Sequence, residues 1–492
     1  MTDARFSWRN DLENARLNEP LTTEASRDLT SIVGNAWSTD DVDLDQASVD
    51  RWPPALRRRH LGLKVPRPTV VIWPTTAQHV SDLFQWSKLH GIALVTRGAG
   101  SGVVGGAVPL HGEAVLSTER MNAIVAFDPT SGLVRVEAGV MGGDLETWLN
   151  QRDFTLGHYP QSIAISTVGG WVATRASGTF SSGYGNIEDV VRGLEVVVPG
   201  GDVLSFAPIP RSATGPNLRE LFVGSEGTLG IVTQIDLQVR RLPESRIFDA
   251  FVFDTLGQGI EATRALAQSL YPPALVRLYD AAGGKGIIAD NDVPNGGCPL
   301  ILGWDGPSDI VEILREHSAR TCLDRGGRAV GPAAATEWFD KRFDVSALER
   351  GIERVDGIAD TIEIAASWSD AEQVHSAVVE ALSPLCDRVS GHFSHVYPTG
   401  TSLYVVLFLS ADAGDVENQY AEAWRVALEA ALDAGASISH HHGIGLMRAG
   451  WMPAEPSTEV SILRDLKRLF DPQSLLNPGK LINTTAQHDR PN

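Results

Sequence analysis

Three glycine-rich segments restrict the fold of this 492-residue chain more than any other feature. The first is TRGAGSGVVGG, Thr96 to Gly106. The second is STVGGWVATRASGTFSSGYGNIEDVV, Ser166 to Val191. The third is GSEGTLGIVT, Gly224 to Thr233. Glycine lets backbone amides approach a pyrophosphate closely and line a concave anion nest. A helix starting at Thr167-Val168-Gly169-Gly170 would add the positive end of its dipole. Taken singly, each cluster reads equally well as ordinary turns, and a Rossmann reading of the first is poor.

Charge narrows the partners. Asp and Glu number 61 against 41 Lys and Arg, a net charge of −20. A field of that sign repels nucleic acid and anionic lipid, so neither is expected as a main partner. A small anionic substrate then needs a local basic pocket. A chain with 43% hydrophobic and 21% charged residues has cores for two or three domains and fits neither disorder nor a membrane class. Cys298, Cys322 and Cys386 are odd in number and far apart, against a disulfide framework or a CxxC metal site. No apolar run approaches the roughly 20 residues of a spanning helix. MTDARFSWRNDLENARL lacks an apolar signal core, and HDRPN carries no targeting address. The expectation is a cytoplasmic protein with a small-molecule or lipid-like substrate. No nucleic-acid partner and no stable membrane insertion are expected, and a homodimer is the candidate assembly.

Residues 1–65 read as a polar N-terminal extension, solvated and ending in a short helix near Leu56–His60. From 66 the pattern tightens. VVIW at 70–73 reads as a buried strand, followed by a helix capped by Thr75 or Thr76. Further strands are expected at 93–98, 114–117, 124–127 and 133–137, and a helix at about 142–152. LEVVVPGGDVLSF reads as a hairpin turning at Gly200, Gly201 and Asp202. GIVTQIDLQVRRL reads as a half-buried strand. After Pro243 strands and helices alternate differently. They read as an antiparallel sheet with helices on one face, an α+β domain. Residues 282–298 read as a surface loop.

The three glycine clusters, in this order and spacing, resemble the FAD-binding domain of the FAD-linked oxidase family, of vanillyl-alcohol-oxidase or PCMH type. The resemblance covers residues 66–242, plus FDPQSLLNPGKL at 470–481. It implies an α+β fold with a two-subdomain FAD-binding domain over 66–242. A substrate (cap) domain with an antiparallel sheet would span 243–440. A segment over 441–492 would close the active site and return to the FAD domain. It implies FAD, with Arg97, Gly98, Ala99, Gly100, Ser101 and Gly102 around the pyrophosphate. Thr167, Gly169, Gly170, Ala173, Thr174 and Ser177 would continue that nest. Ile187, Glu226 and Val232 would lie toward the flavin and adenosine. Some relatives attach flavin through His or Cys. The first loop has Ala99 and Ser101 and no His, and no Cys lies in this domain, so non-covalent FAD is expected.

SISHHHGIG sets His440, His441 and His442 in one short loop. Extended, adjacent residues alternate sides, so at most two face one site. Metal binding, acid–base chemistry beside a flavin and a solvated loop are all open readings. With ISTVGGWVATRASG, ATGPNLRELFVGSEGTLG and PALVRLYD, the run resembles the alkyldihydroxyacetonephosphate synthase branch. That branch exchanges the acyl group of acyl-dihydroxyacetone phosphate for a fatty alcohol through a flavin N5 adduct, making an ether lipid. The resemblance implies that Arg277 holds an anionic head, that His158, His440, His441 and His442 handle protons, and that Tyr397 and Tyr404 wall the site, with no metal. Departures remain: Val406 replaces a second tyrosine, Leu446 replaces a frequent lysine, and the ending resembles 2-hydroxy acid dehydrogenases. The alternative is therefore an FAD-dependent dehydrogenase or oxidase of 2-hydroxy acids or another alcohol, by hydride transfer to flavin N5. Its usual metal set is weakened here, because His395 is matched by Tyr404 and His441 stands where a Glu belongs. A flavin-binding protein without catalysis is the third reading.

Overall fold

The computed structural model describes residues 8–13, 20–288, 296–344, 346–354, 356–412, 415–454 and 459–482. Two small sheets build the first half. One has four strands, in the order Trp37–Ser38, Val71–Ile72, Ala114–Ser117 and Leu94–Arg97. Helix Ala77–His90 packs on it, and Thr76 is its N-cap, accepting from His79 N at 3.1 Å. The other sheet is antiparallel, in the order Ile124–Asp128, Leu133–Glu137, Ile231–Gln238, Val191–Val197 and Val203–Phe206. The hairpin through Gly200 and Gly201 forms as its sequence predicts. The central strand Ile231–Gln238 is buried along most of its length, not half-buried, because it lies between two neighbours under helix Val168–Thr174.

Gly100, Gly102 and Gly105 do fall on a G-x-G-x-x-G spacing. No helix follows them. The chain runs through a loop into strand Ala114–Ser117, so the Rossmann topology is absent among the described residues, although the spacing is present.

The second half is one seven-stranded antiparallel sheet. Its order is Arg328–Ala329, Ser245–Phe253, Cys298–Gly306, Leu275–Tyr279, Arg388–Val396, Gly400–Ser410 and Gly357–Ser367. One face carries helices Leu256–Ala267, Ser308–Leu323, Ala371–Leu382 and Val416–Asp433, which supply Ile260, Val311, Val374 and Trp424 to the main core. Helices are not confined to that face. Helix Pro332–Lys341 packs Ala335 and Trp338 against Phe248 and Ala250 on the opposite side. Helix Ser346–Ile352 also lies there, so close that a Cβ on Gly351 would be 2.4 Å from Cβ of Ala359. Of the expected surface loop at 282–298, Ile288 is buried, and residues 289–295 lie outside the described residues.

The N-terminal segment is not a solvated extension. Trp8 and Leu12 are buried, and Trp8 packs edge-on against Trp52 with ring centroids 4.9 Å apart. Helix Thr23–Val33 buries Ala25, Leu29 and Val33, spaced four residues apart on one face. The Trp86 indole donates to Ala25 O at 3.0 Å. Arg67 holds the acidic run, with Nη2 2.8 Å from Asp41 Oδ1 and Nε 3.0 Å from Asp45 Oδ1.

At its end the chain returns to the first half. Leu94 N donates to Leu475 O, and Asn477 N donates to Leu94 O, both at 2.7 Å. The buried Lys467 ammonium donates to Asp471 Oδ2 (2.6 Å), Leu476 O (2.7 Å) and Thr228 O (2.8 Å). This stitching fixes the C-terminal segment to the first half beside the third glycine cluster.

Candidate active site

Between the two halves lies a cavity of about 1100 Å³. Its floor is the glycine-rich backbone. Two loops meet there so closely that side chains are excluded. A Cβ on Gly98 would be 2.2 Å from Thr167 Oγ1, and one on Gly169 would be 2.7 Å from Ala138. Ala99, Gly100, Ser101 and Gly102 line the cavity, and their amides donate to no protein acceptor among the described residues. A glycine-rich turn of unspent N–H donors fits a pyrophosphate. Thr167 caps helix Val168–Thr174, accepting from Gly170 N at 3.2 Å. Thr167, Gly169, Gly170, Ala173, Thr174, Ser177, Glu226 and Val232 all line the same cavity.

The ceiling is the open face of the seven-stranded sheet. Alternation along its strands sends Val276, Leu278, Phe393, Leu403, Ile362 and Ile364 into the main core. The residues between them, Arg277, His392, Ser394, Tyr404 and Thr361, turn to the cavity. His395 joins them out of turn. It has φ +52° at a bulge between Ser394 and Val396, which adds a residue to its strand and brings a second consecutive side chain to this side. Arg277 Nη2 lies 2.6 Å from His392 Nε2, so that nitrogen must be the acceptor. Burial, then the charge of Arg277, pushes the His392 pKa well below its ordinary value. The His392 ring stacks on Tyr404 with centroids 4.8 Å apart.

The histidine run is strung between two buried carboxylates. The backbone amides of His440, His441 and His442 all donate to Glu363, the last two at 3.0 Å. Two residues on, Ile444 N and Gly445 N donate to the two oxygens of Glu226 at 2.6 and 2.8 Å. Gly443, at φ +83°, makes the bend between them, where a Cβ would be 2.9 Å from Glu226 Oε1. Glu363 also accepts from Arg448 Nη1 at 2.8 Å and from the Ser439 hydroxyl at 3.0 Å. Burial alone would raise the Glu363 pKa, but Arg448 and the imidazoles of His442 and His440 hold it down at about 2. Burial raises that of Glu226, and its two amide partners oppose the rise. Burial also lowers the pKa of His440 and His442 to about 4.

Comparison with known proteins agrees with this architecture. Residues 68–207 match the family model for an FAD binding domain, and residues 242–481 match that for the C-terminal domain of FAD linked oxidases. The chain belongs to the FAD-linked oxidase family. It is an FAD-dependent enzyme. It is 28% identical over 469 residues to an alkyldihydroxyacetonephosphate synthase of Dictyostelium discoideum, covering 88% of this chain and 76% of that protein. It is 29% identical over 460 residues to an uncharacterized FAD-linked oxidoreductase of Escherichia coli (strain K12), covering 90% and 94%. A solved alkyldihydroxyacetonephosphate synthase superposes with a TM-score of 0.79 at 23% identity, over 95% of this chain and 86% of that one.

Within this FAD-linked oxidase the expected site residues divide. Arg277, Tyr404, His441 and His442 face the cavity. His440 and Tyr397 stand one layer behind, joined to each other at 2.8 Å. Arg97, expected at the pyrophosphate, folds back over Gly100 and donates to Val49 O at 2.9 Å. Ile187 is packed in the core of the five-stranded sheet. His158 is buried behind the cavity lining, against Trp171 at 4.8 Å, and neither ring nitrogen has a partner. Burial drives its pKa to about 3, so it remains neutral there.

Glu363 and His392 are functional residues that the sequence reading missed; only the period-two pattern of the strands carries a signal for them, in DTIEIAAS and RVSGHFSHV. Arg448 stands just beyond Leu446, with no local sign of its carboxylate partner. Donor atoms of Glu363, His440 and His441 lie within 4.8 Å of one another, a grouping a metal ion can use. Both Glu363 oxygens already accept N–H bonds, and both His440 ring nitrogens are hydrogen-bonded, so the set fits hydrogen bonding better than metal ligation.

Two outcomes follow from this geometry. Gly170→Asp places a carboxylate in the anion cradle, and the purified variant should lose its flavin; full flavin content, read from absorbance, would show that the cradle lies elsewhere. Glu363 is depressed in the folded state from 4.5 to about 2. Its stabilisation is therefore complete above pH 4.5 and lost as pH falls through 2. The thermal-stability gap between wild type and Glu363→Gln should be wide near neutral pH and close over that range. A gap independent of pH would contradict the assignment.

Proposed function

We propose that this enzyme holds FAD non-covalently and exchanges the acyl group of acyl-dihydroxyacetone phosphate for a fatty alcohol. The observation that carries the reading is the Arg277–His392 pair on the cavity wall, a cationic anchor in a strongly acidic chain. A guanidinium offers a planar fork of donors, which suits a phosphate. Apolar side chains at the cavity mouth, Phe343, Leu348 and Ile352, offer a path for a hydrocarbon chain. Tyr404 and the neutral imidazoles of His441 and His442 offer hydrogen bonds to a carbonyl or hydroxyl oxygen without adding charge. Bound FAD supplies a flavin N5 able to accept a hydride or to bond to a carbon beside a carbonyl.

A second reading keeps the same anchor for a carboxylate. The enzyme would then oxidise a 2-hydroxy acid, with one imidazole taking the hydroxyl proton. The likeness to an FAD-linked oxidoreductase favours net oxidation, and the carboxylate rests on the Arg277 anchor.

Anaerobic addition of each substrate to the purified enzyme separates the readings. With acyl-dihydroxyacetone phosphate, fatty acid should be released without full bleaching of the flavin. Full bleaching by a 2-hydroxy acid, and none of this release, would establish the second reading. Acid precipitation should leave the yellow colour in the supernatant, and a yellow pellet would refute non-covalent binding. His442→Ala should keep FAD and lower turnover about 100- to 10,000-fold, the usual cost of losing an acid–base group. A loss under about threefold would remove His442 from the chemistry.

A further inference from the structure

Behind His441 runs a file of hydrogen bonds that ends on the opposite wall of the cavity. His441 Nδ1 lies 2.9 Å from His440 Nδ1. His440 Nε2 lies 2.8 Å from the Tyr397 hydroxyl. Asn186 Nδ2 donates to the Tyr397 oxygen at 3.0 Å, and the Ser177 hydroxyl donates to Asn186 Oδ1 at 2.8 Å.

This order has a direction. Ser177 occupies Asn186 Oδ1, which lies farther from Tyr397, at 3.3 Å. The short acceptor for the Tyr397 proton is therefore His440 Nε2. A neutral His440 that accepts at Nε2 carries its proton on Nδ1 and donates it to His441 Nδ1. His441 then carries its own proton on Nε2. That atom has no protein partner among the described residues, and His441 lines the cavity. Burial favours the neutral form of both rings, so the chain holds without an imidazolium. His442 differs: its Nδ1 is buried without a partner, and no such file stands behind it.

We propose that His441 Nε2–H is the acid of this site, supplied by Tyr397 through His440, and that the substrate oxygen facing it is a carbonyl oxygen or the alkoxide formed from one. As the His441 Nε2–H bond breaks, the proton bonds to the substrate oxygen. His440 passes its Nδ1 proton to His441 Nδ1, and Tyr397 passes its hydroxyl proton to His440 Nε2. One proton leaves the phenol and one reaches the substrate. The negative charge moves from the alkoxide to the Tyr397 oxygen, where Asn186 Nδ2–H receives it. Burial pushes the Tyr397 pKa up to about 12, so the phenolate formed takes a proton back at neutral pH. Tyr397, His440 and Asn186 are thus positioning and supply residues, and His441 is the member of this file that touches substrate. The identity of the carbonyl substrate rests on the proposed function; the proton order does not.

The test uses wild-type holoenzyme labelled with 15N-histidine, at pH 7, with His440→Gln and His441→Gln variants to assign the signals. Long-range 15N–1H correlations should show both rings neutral, with His440 protonated on Nδ1 and His441 on Nε2. The opposite tautomers, or an imidazolium at either residue, would overturn the proposal. In Tyr397→Phe the two rings should become a mixture of tautomers, while FAD content stays at the wild-type level; unchanged tautomers would overturn the role of Tyr397. With acyl-dihydroxyacetone phosphate this variant should lose about tenfold or more in kcat, less than the ~100-fold or greater loss typical when the acid itself is removed. KM should hold within about twofold, and the solvent deuterium proton inventory should change from several protons to one. A wild-type kcat and inventory would sink the relay. Absence of turnover in the wild-type enzyme itself would refute the proposed function, and the tautomer result would still decide the relay.

Discussion

Two buried carboxylates, Glu363 and Glu226, carry the geometry of the site. Between them they accept five amides of one loop, three from the histidine run and two from Ile444 and Gly445 beyond the bend at Gly443. A buried carboxylate is costly unless its lone pairs are filled. Here the loop backbone fills them, and Arg448 neutralises the first. The backbone being spent on the carboxylates, the imidazoles are left to other work. Glu363 belongs to the seven-stranded sheet and Glu226 to the third glycine cluster. The loop therefore ties the seven-stranded sheet to the FAD-binding half at the point where both face the cavity.

The sheet contributes through simple alternation. Each strand gives one side chain in two to the apolar core and one to the cavity wall. The bulge at His395 breaks that rule once and sets an additional imidazole beside Ser394. Several histidines so crowded could not all be charged. Burial and mutual repulsion lower the pKa of His392, His395 and His441, and the group resolves into neutral donors and acceptors. Such a wall presents directed hydrogen-bonding groups, and Arg277 alone among these cavity-facing sheet residues offers a cation.

The chain ends hold these halves in register. Asn477 Nδ2 donates to Gly106 O at 3.3 Å and to Glu226 O at 2.6 Å, joining the first and third glycine clusters. Lys467 fixes the preceding helix to Thr228. At the other end Trp8 and Trp52 fill the main core, and Arg58 pairs with Glu417 at 2.7 Å. Segments that look polar and irregular in one dimension are buried because the surfaces they cover belong to distant parts of the chain.

Local pattern was enough to expose the two halves, most strands and the glycine-rich segments that line the cavity. Glycine spacing, strand alternation and Thr76 as a cap are read over a few residues, and backbone sterics make them act at that range. The histidine run was also legible as a candidate. Alternation along an extended chain would pair His440 with His442, but the bent loop turns the adjacent His441 and His442 to the cavity instead. The physical purpose of the run was not legible. Nothing near His440 in sequence announces Glu363, 77 residues away, or Glu226, 218 residues from Ile444. Arg97 and His158 sat in the right motifs, yet packing turned one back onto Val49 and sealed the other behind Trp171. The sequence determined by itself which backbone could cradle a pyrophosphate, because the absence of a side chain is a local property. Only the tertiary structure decided which imidazoles meet the cavity and which ring nitrogens find partners, because burial and hydrogen bonding depend on groups brought together from the whole chain.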